Sequence, residues 1–174
     1  MKSNLLSLGC LTLLAAGAHA AETNAPAAAK VSSVVIQVQK ADLLKLDLPA
    51  GSKVTTSGER VAVQSADGVL FFQLWQVAGA KKVDEALVRY AGLLKQEDIR
   101  DLQGSVTNAV TIANAPAWVI RGSGVEVDDG DAGLAEVVLF SAADRVFVAC
   151  AHGEHLTPAE SKAMFAVLQT ARKP

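Results

Sequence analysis

The stretch 60–96, RVAVQSADGVLFFQLWQVAGAKKVDEALVRYAGLLKQ, changes its hydrophobic period part-way along, and that change decides the fold. Arg60 to Ser65 reads as a strand. Asp67-Gly68 then gives a strong hairpin signal. Between Val69 and Val77 both alternating sets turn apolar, Val69, Phe71 and Trp75 against Leu70, Phe72 and Leu74. This predicts a central strand covered on both faces. From Val83 the spacing becomes helical, with Val83, Leu87, Tyr90, Ala91 and Leu94 on one stripe, so an amphipathic helix is expected over about 83–97.

Upstream, Val34, Ile36 and Val38 alternate with Val35, Gln37 and Gln39, and Leu44, Leu46 and Leu48 repeat the pattern until Pro49-Ala50-Gly51 breaks it. Downstream lie four more strand-like runs: Val106 to Ile112, Ala117 to Val127, Leu134 to Phe140 and, after a turn at Ala142-Ala143-Asp144, Arg145 to Ala151. Thr157-Pro158-Ala159-Glu160 supplies an N-cap, a proline at the first helical position and a glutamate at the third. A closing helix over about 158–171 follows, burying Met164, Val167, Leu168 and Ala171. The order of strands, helix, strands and helix predicts an α+β fold with an antiparallel sheet of about six to seven strands. Crossover helices are too few for a doubly wound parallel sheet.

In this element order the chain resembles the Mog1/PsbP-like fold family, which includes the PsbP-type photosystem subunit, the Ran-binding protein Mog1 and bacterial envelope proteins of the DcrB type. The resemblance runs from about Leu44 to Arg172. It rests on the segment ending in Leu48-Pro49, the helix from about Val83, the turn Asn114-Ala115-Pro116-Ala117-Trp118 entering a long strand, and the closing helix. Ala50-Gly51 stands where an aromatic residue often follows in that family. The resemblance implies a sandwich-like binding or assembly module without catalytic residues.

The N-terminus reads as an export signal: Met1-Lys2, an apolar stretch from Leu5 to Gly17, and Ala18-His19-Ala20 as a small-x-small site. The apolar stretch is short of the roughly 20 residues that span hydrocarbon. The expected organisation is a signal peptide over 1–20, a flexible Ala-rich tether over 21–30 and one domain over 31–174. The mature protein would be periplasmic or secreted, with no transmembrane span. The alternative address is a lipid anchor at Cys10, where Leu6-Ser7-Leu8-Gly9-Cys10 loosely resembles a lipobox.

Of the 174 residues 51% are hydrophobic and 20% charged, with a formal net charge of -2, a composition that folds rather than staying disordered. No basic block offers a footprint for nucleic acid or an anionic membrane surface. With Cys10 in the signal, Cys150 alone remains, so no internal disulfide is available and the core must hold the fold.

Four constellations hold candidate chemistry. Cys150, His152 and His155, with Glu154 between the histidines, suit zinc or copper, because thiolate and imidazole ligate both and Cys150 and His152 share one face of an extended chain. The competing reading is a buried thiol acting as a small hydrophobe, beside two ordinary loop histidines. Asp128-Asp129-Gly130-Asp131, with Glu126 nearby, gathers oxygen ligands suited to calcium, but without EF-hand spacing it also reads as a solvated hairpin connection. Gly122-Ser123-Gly124 lacks the strand-to-helix turn of a nucleophile elbow. Ala78-Gly79-Ala80-Lys81-Lys82 precedes a helix yet matches no phosphate-binding loop. Trp75 reads as core, whereas Trp118, just after a proline turn, is the candidate ligand-binding aromatic.

No catalytic motif emerges, and the sequence leans away from an enzyme. The expected function is a non-catalytic binding or assembly module of the bacterial cell envelope, contacting an envelope protein partner or a small ligand, with no cofactor. The alternative is a metal-binding or metal-dependent envelope protein using Cys150, His152 and His155.

Overall fold

The computed structural model describes residues 30–89, 99–126, 132–153 and 156–174. The fold is α+β. Seven antiparallel strands form one sheet, and a separate two-stranded hairpin lies against it. The hairpin is β1 (Val31–Val38) and β2 (Ala41–Pro49). There follow β3 (Lys53–Ser57), β4 (Arg60–Gln64), β5 (Phe71–Gln76), helix α1 (Val83–Val88), β6 (Ile99–Ile112), β7 (Ala115–Glu126), β8 (Ala132–Ala142), β9 (Arg145–Gly153) and helix α2 (Pro158–Leu168). The large sheet runs in the order β3-β4-β5-β9-β8-β7-β6.

Strand β5 is interior to the sheet, but the cover expected on both faces is complete on one only: on the side of Trp75, Val69 and Phe71 are 41% and 39% exposed. Phe72 and Leu74 are buried on one face and Trp75 on the other, and the strand pairs with β4 and β9. The hairpin signalled by Asp67-Gly68 joins β4 to β5, but the ladder begins only at Gln64↔Phe71. Residues 65–70 are a loop held by Ser65, whose Oγ accepts from the Leu70 amide at 2.9 Å and donates to Asp67. Strand β3 carries no sequence pattern because Lys-Val-Thr-Thr-Ser is an exposed edge with no buried side chain to alternate.

Side-chain parity sorts the core into two layers. On one face Phe72, Leu74, Phe140, Phe147 and Ala149 pack under Ile36, Leu44, Leu46 and Leu48 of the hairpin and Met164, Val167 and Leu168 of α2. On the other, Trp75, Val137, Leu139, Val148 and Cys150 pack with Val83 and Ala86 of α1. The helix expected over about 83–97 is present as Val83–Val88; residues 90–98 lie outside the described residues. The closing helix ends at Leu168, earlier than expected, and the chain then turns so that Arg172 bridges to Lys45 of β2.

Three two-residue turns, Gln39-Lys40, Ala113-Asn114 and Ala143-Asp144, put both central residues at positive φ. This is the type I′ geometry that matches strand twist, reached here without glycine. Among the described residues no helix is long and apolar enough to cross a membrane.

Candidate functional site: a groove at the N-terminal end of α2

Strands β7 and β8 pair so that Arg121 stands directly opposite Glu136. Both side chains therefore project from the face that α2 covers. Glu136 is completely buried, a rare position for a carboxylate unless it is paired. Its partners are Arg121, whose Nε donates to Oε2 in a charge-assisted bond, and Ser161 of α2, whose hydroxyl lies 2.8 and 3.0 Å from the two carboxylate oxygens. Arg121 Nη2 also reaches Ser161 Oγ at 3.3 Å, and its guanidinium lies 6.0 Å from the centre of the Phe165 ring. Glu136 thus fixes the inner edge of the guanidinium, while the Arg121 side chain stays 51% exposed.

That exposed edge opens into a groove of about 900 Å³ between the first turns of α2 and the ends of β7 and β8. A volume of this order suits a small ligand. Leu134, Leu156, Pro158 and Phe165 supply apolar wall, and Lys162 stands at the rim. Leu134 is 41% exposed although it lies in a strand, so its side chain is available to whatever enters. The helix start is rigid. The Glu160 amide donates to Thr157 Oγ1 at 3.2 Å and the Thr157 amide donates to Glu160 Oε2 at 2.6 Å, the reciprocal box expected from the sequence. The bond from the Thr157 amide holds the Glu160 carboxyl below the usual carboxylate range.

Among the described residues, the candidate ligands Cys150, His152 and Trp118 lie away from the groove. Cys150 and His152 do share one face of β9, the face away from α2: Cys150 is buried beside Val137, and His152 is half-buried opposite Ala135 with both ring nitrogens shielded from solvent. Their proposed companion His155 lies outside the described residues, as do Glu154 and the acidic turn Asp128 to Asp131. Among the described residues no group of three His, Cys, Asp or Glu side chains converges as a metal site. Trp118 is half-buried on the face opposite the groove, where its Nε1 donates to Asp84 Oδ1 of α1 at 2.9 Å. Trp75 is core, 5% exposed, with the Arg60 guanidinium 5.6 Å from its ring centre. Ahead of α1, the Lys81 amide donates to Glu85 Oε2 at 2.8 Å, so a carboxylate of the chain itself occupies that loop. Gly122-Ser123-Gly124 is strand, as its continuation into Val125 indicated, and Ser123 lines the groove.

No protein-family model matches the chain, and no curated protein does. Among solved structures it is similar to PA94 of Pseudomonas aeruginosa, a protein of unknown function. That likeness has 14% identity and a TM-score of 0.42, and covers 79% of this chain and 94% of that one. It is also similar to LpqN of Mycobacterium tuberculosis, which is involved in cell envelope biogenesis, with 16% identity and a TM-score of 0.45 over 85% of this chain and 93% of that one.

Proposed function

We propose that the chain is an exported, non-catalytic binding module of the bacterial envelope, of the Mog1/PsbP-like type, and that it works by holding a small ligand in the groove at the start of α2. The observation that carries this reading is the buried Glu136 bound to Arg121 and Ser161. Desolvating a carboxylate in the floor of a sheet is costly, and here it holds a half-exposed guanidinium facing an apolar cavity. A purely structural sheet face could use an apolar pair at this position, as it does beneath Met164, Val167 and Leu168. The signal sequence supplies the address. The test is in-cell photo-crosslinking of the full chain. A photoreactive residue at Leu134, in the groove, should give a product that the same residue at Val88, which is 87% exposed on α1, does not give. Equal yields at the two positions, or none above background at Leu134, would refute the proposal.

A second reading keeps Cys150, His152 and His155 as a zinc or copper site, because β9 places the first two side by side on one face. Elemental analysis of protein purified without chelator tests it. Transition metal that is present in the wild type and lost from Cys150→Ser supports the site, and the same trace level in both sinks it.

A further inference from the structure

We infer that the ligand of the groove is a fatty acid: a long-chain carboxylate whose head group sits against Arg121 and Lys162 while its chain runs along Leu134, Leu156, Pro158 and Phe165. The inference rests on the groove reading above and adds the chemical class. Charge balance limits the head group to a monoanion. Arg121 and Lys162 bring two positive charges to the groove and Glu136 brings one negative charge, which leaves room for one anion of unit charge. A carboxylate fills that place, whereas a phosphate dianion would leave an uncompensated negative charge beside buried Glu136. Glu160 does not alter the balance at the cavity, because its carboxylate is committed to the Thr157 amide and hydroxyl.

Geometry supports the same occupant. Glu136 and Ser161 fix the guanidinium before any ligand arrives, so binding orders little that is not already ordered. The walls beyond the head-group position are aliphatic and aromatic, and the groove is open along one side, as an unbranched chain entering sideways requires. A free sugar or amino acid would leave Leu134, Leu156 and Phe165 uncovered.

The test uses the full mature chain stripped of bound lipid, with displacement of cis-parinaric acid by saturated carboxylates. From octanoate to dodecanoate, affinity should rise about three- to fourfold per added methylene, as expected for burial of each CH2. Methyl laurate, which has the same chain without the charge, should bind at least about tenfold more weakly than laurate. Lys162→Glu, at an exposed rim position, should weaken laurate about fivefold or more while leaving methyl laurate and the melting temperature unchanged. Equal affinity for laurate and its ester, or a flat chain-length series, would overturn the inference. If fatty acids fail to bind while Leu134 still crosslinks selectively in cells, the inference falls and the groove reading stands. If both fail, both fall.

Discussion

The two ends of α2 are built differently. Its C-terminal end is closed: Gln169 bridges to β6 and the turn after it, donating to the Thr111 carbonyl at 2.7 Å and accepting from the Ala113 amide at 3.0 Å. Just beyond, Lys45 and Arg172 exchange backbone hydrogen bonds of 2.9 and 3.1 Å, Thr170 accepts from the Asp47 amide at 2.8 Å, and Arg172 pairs with Asp47 at 2.7 Å. Met164, Val167 and Leu168 fill the space beneath. The N-terminal end rests instead on the Glu136 carboxylate and leaves a cavity beside it. One helix thus serves two purposes. Packing at one end fixes its position, so that the other end can hold a desolvated charge and empty space without collapsing.

The strongest way to break this division is to remove the closed end. Leu168 is fully buried among the hairpin and sheet side chains, so Leu168→Ala should cost about 4 kcal/mol through lost transfer energy and the cavity left behind. Equilibrium denaturation of the protein measures it. A loss below about 1 kcal/mol would mean that the closed end does not anchor the helix.

Next in size is the open end. Arg121→Ala removes the cationic partner of a carboxylate with no exposure, and breaking such a pair costs about 3 kcal/mol, the lower end of its range because Arg121 itself is half-exposed. Adding Glu136→Gln in the same chain should recover at least about half of that loss, since a neutral amide needs no counter-charge and can still bond Ser161. No recovery in the double variant would show that Arg121 acts through packing on Phe165 rather than by neutralising Glu136.

The same contrast explains what the sequence disclosed. The closed end was legible because it is made of periodicity: Leu44, Leu46 and Leu48, the stripe of Met164, Val167 and Leu168, and the Thr157 to Glu160 box all carry their structure in local spacing. The groove was not, because it depends on register. Arg121 and Glu136 each stand alone in an apolar run, Trp118-Val119-Ile120-Arg121 and Leu134-Ala135-Glu136-Val137-Val138, and a lone charge there is a signal that can be noticed. Their facing one another follows from strand pairing across residues 127–131, which no local pattern fixes. Cys150 and His152 share one face of β9, as alternation along an extended chain predicts. Trp75 likewise lies in the core layer where its strand placed it.

The smallest effect separates the two ends by pH. Asp47 at the closed end is held below the usual carboxylate range first by the hydrogen bond from Arg172 and then by that from Ser33; Glu160 at the open end is held low mainly by the Thr157 amide. A carboxylate whose pKa is depressed by folding stabilises the native state above its unfolded value, near 4, and loses that contribution as pH falls through its folded value. Wild-type stability should therefore drop below about pH 4, and Asp47→Asn and Glu160→Gln should each flatten that drop when denaturation midpoints at pH 7 and pH 3 are compared. Salt distinguishes them. The Asp47 pair is charged on both sides and stays open to solvent, with Arg172 42% and Asp47 29% exposed, so about 1 M salt should erase most of its share. Glu160 is bound to a neutral amide in a fixed capping turn, so its share should persist. If Asp47→Asn stays as acid-sensitive as the wild type, the contact between Arg172 and β2 contributes through its backbone bridge alone, and the closed end owes its strength to packing and main-chain hydrogen bonds.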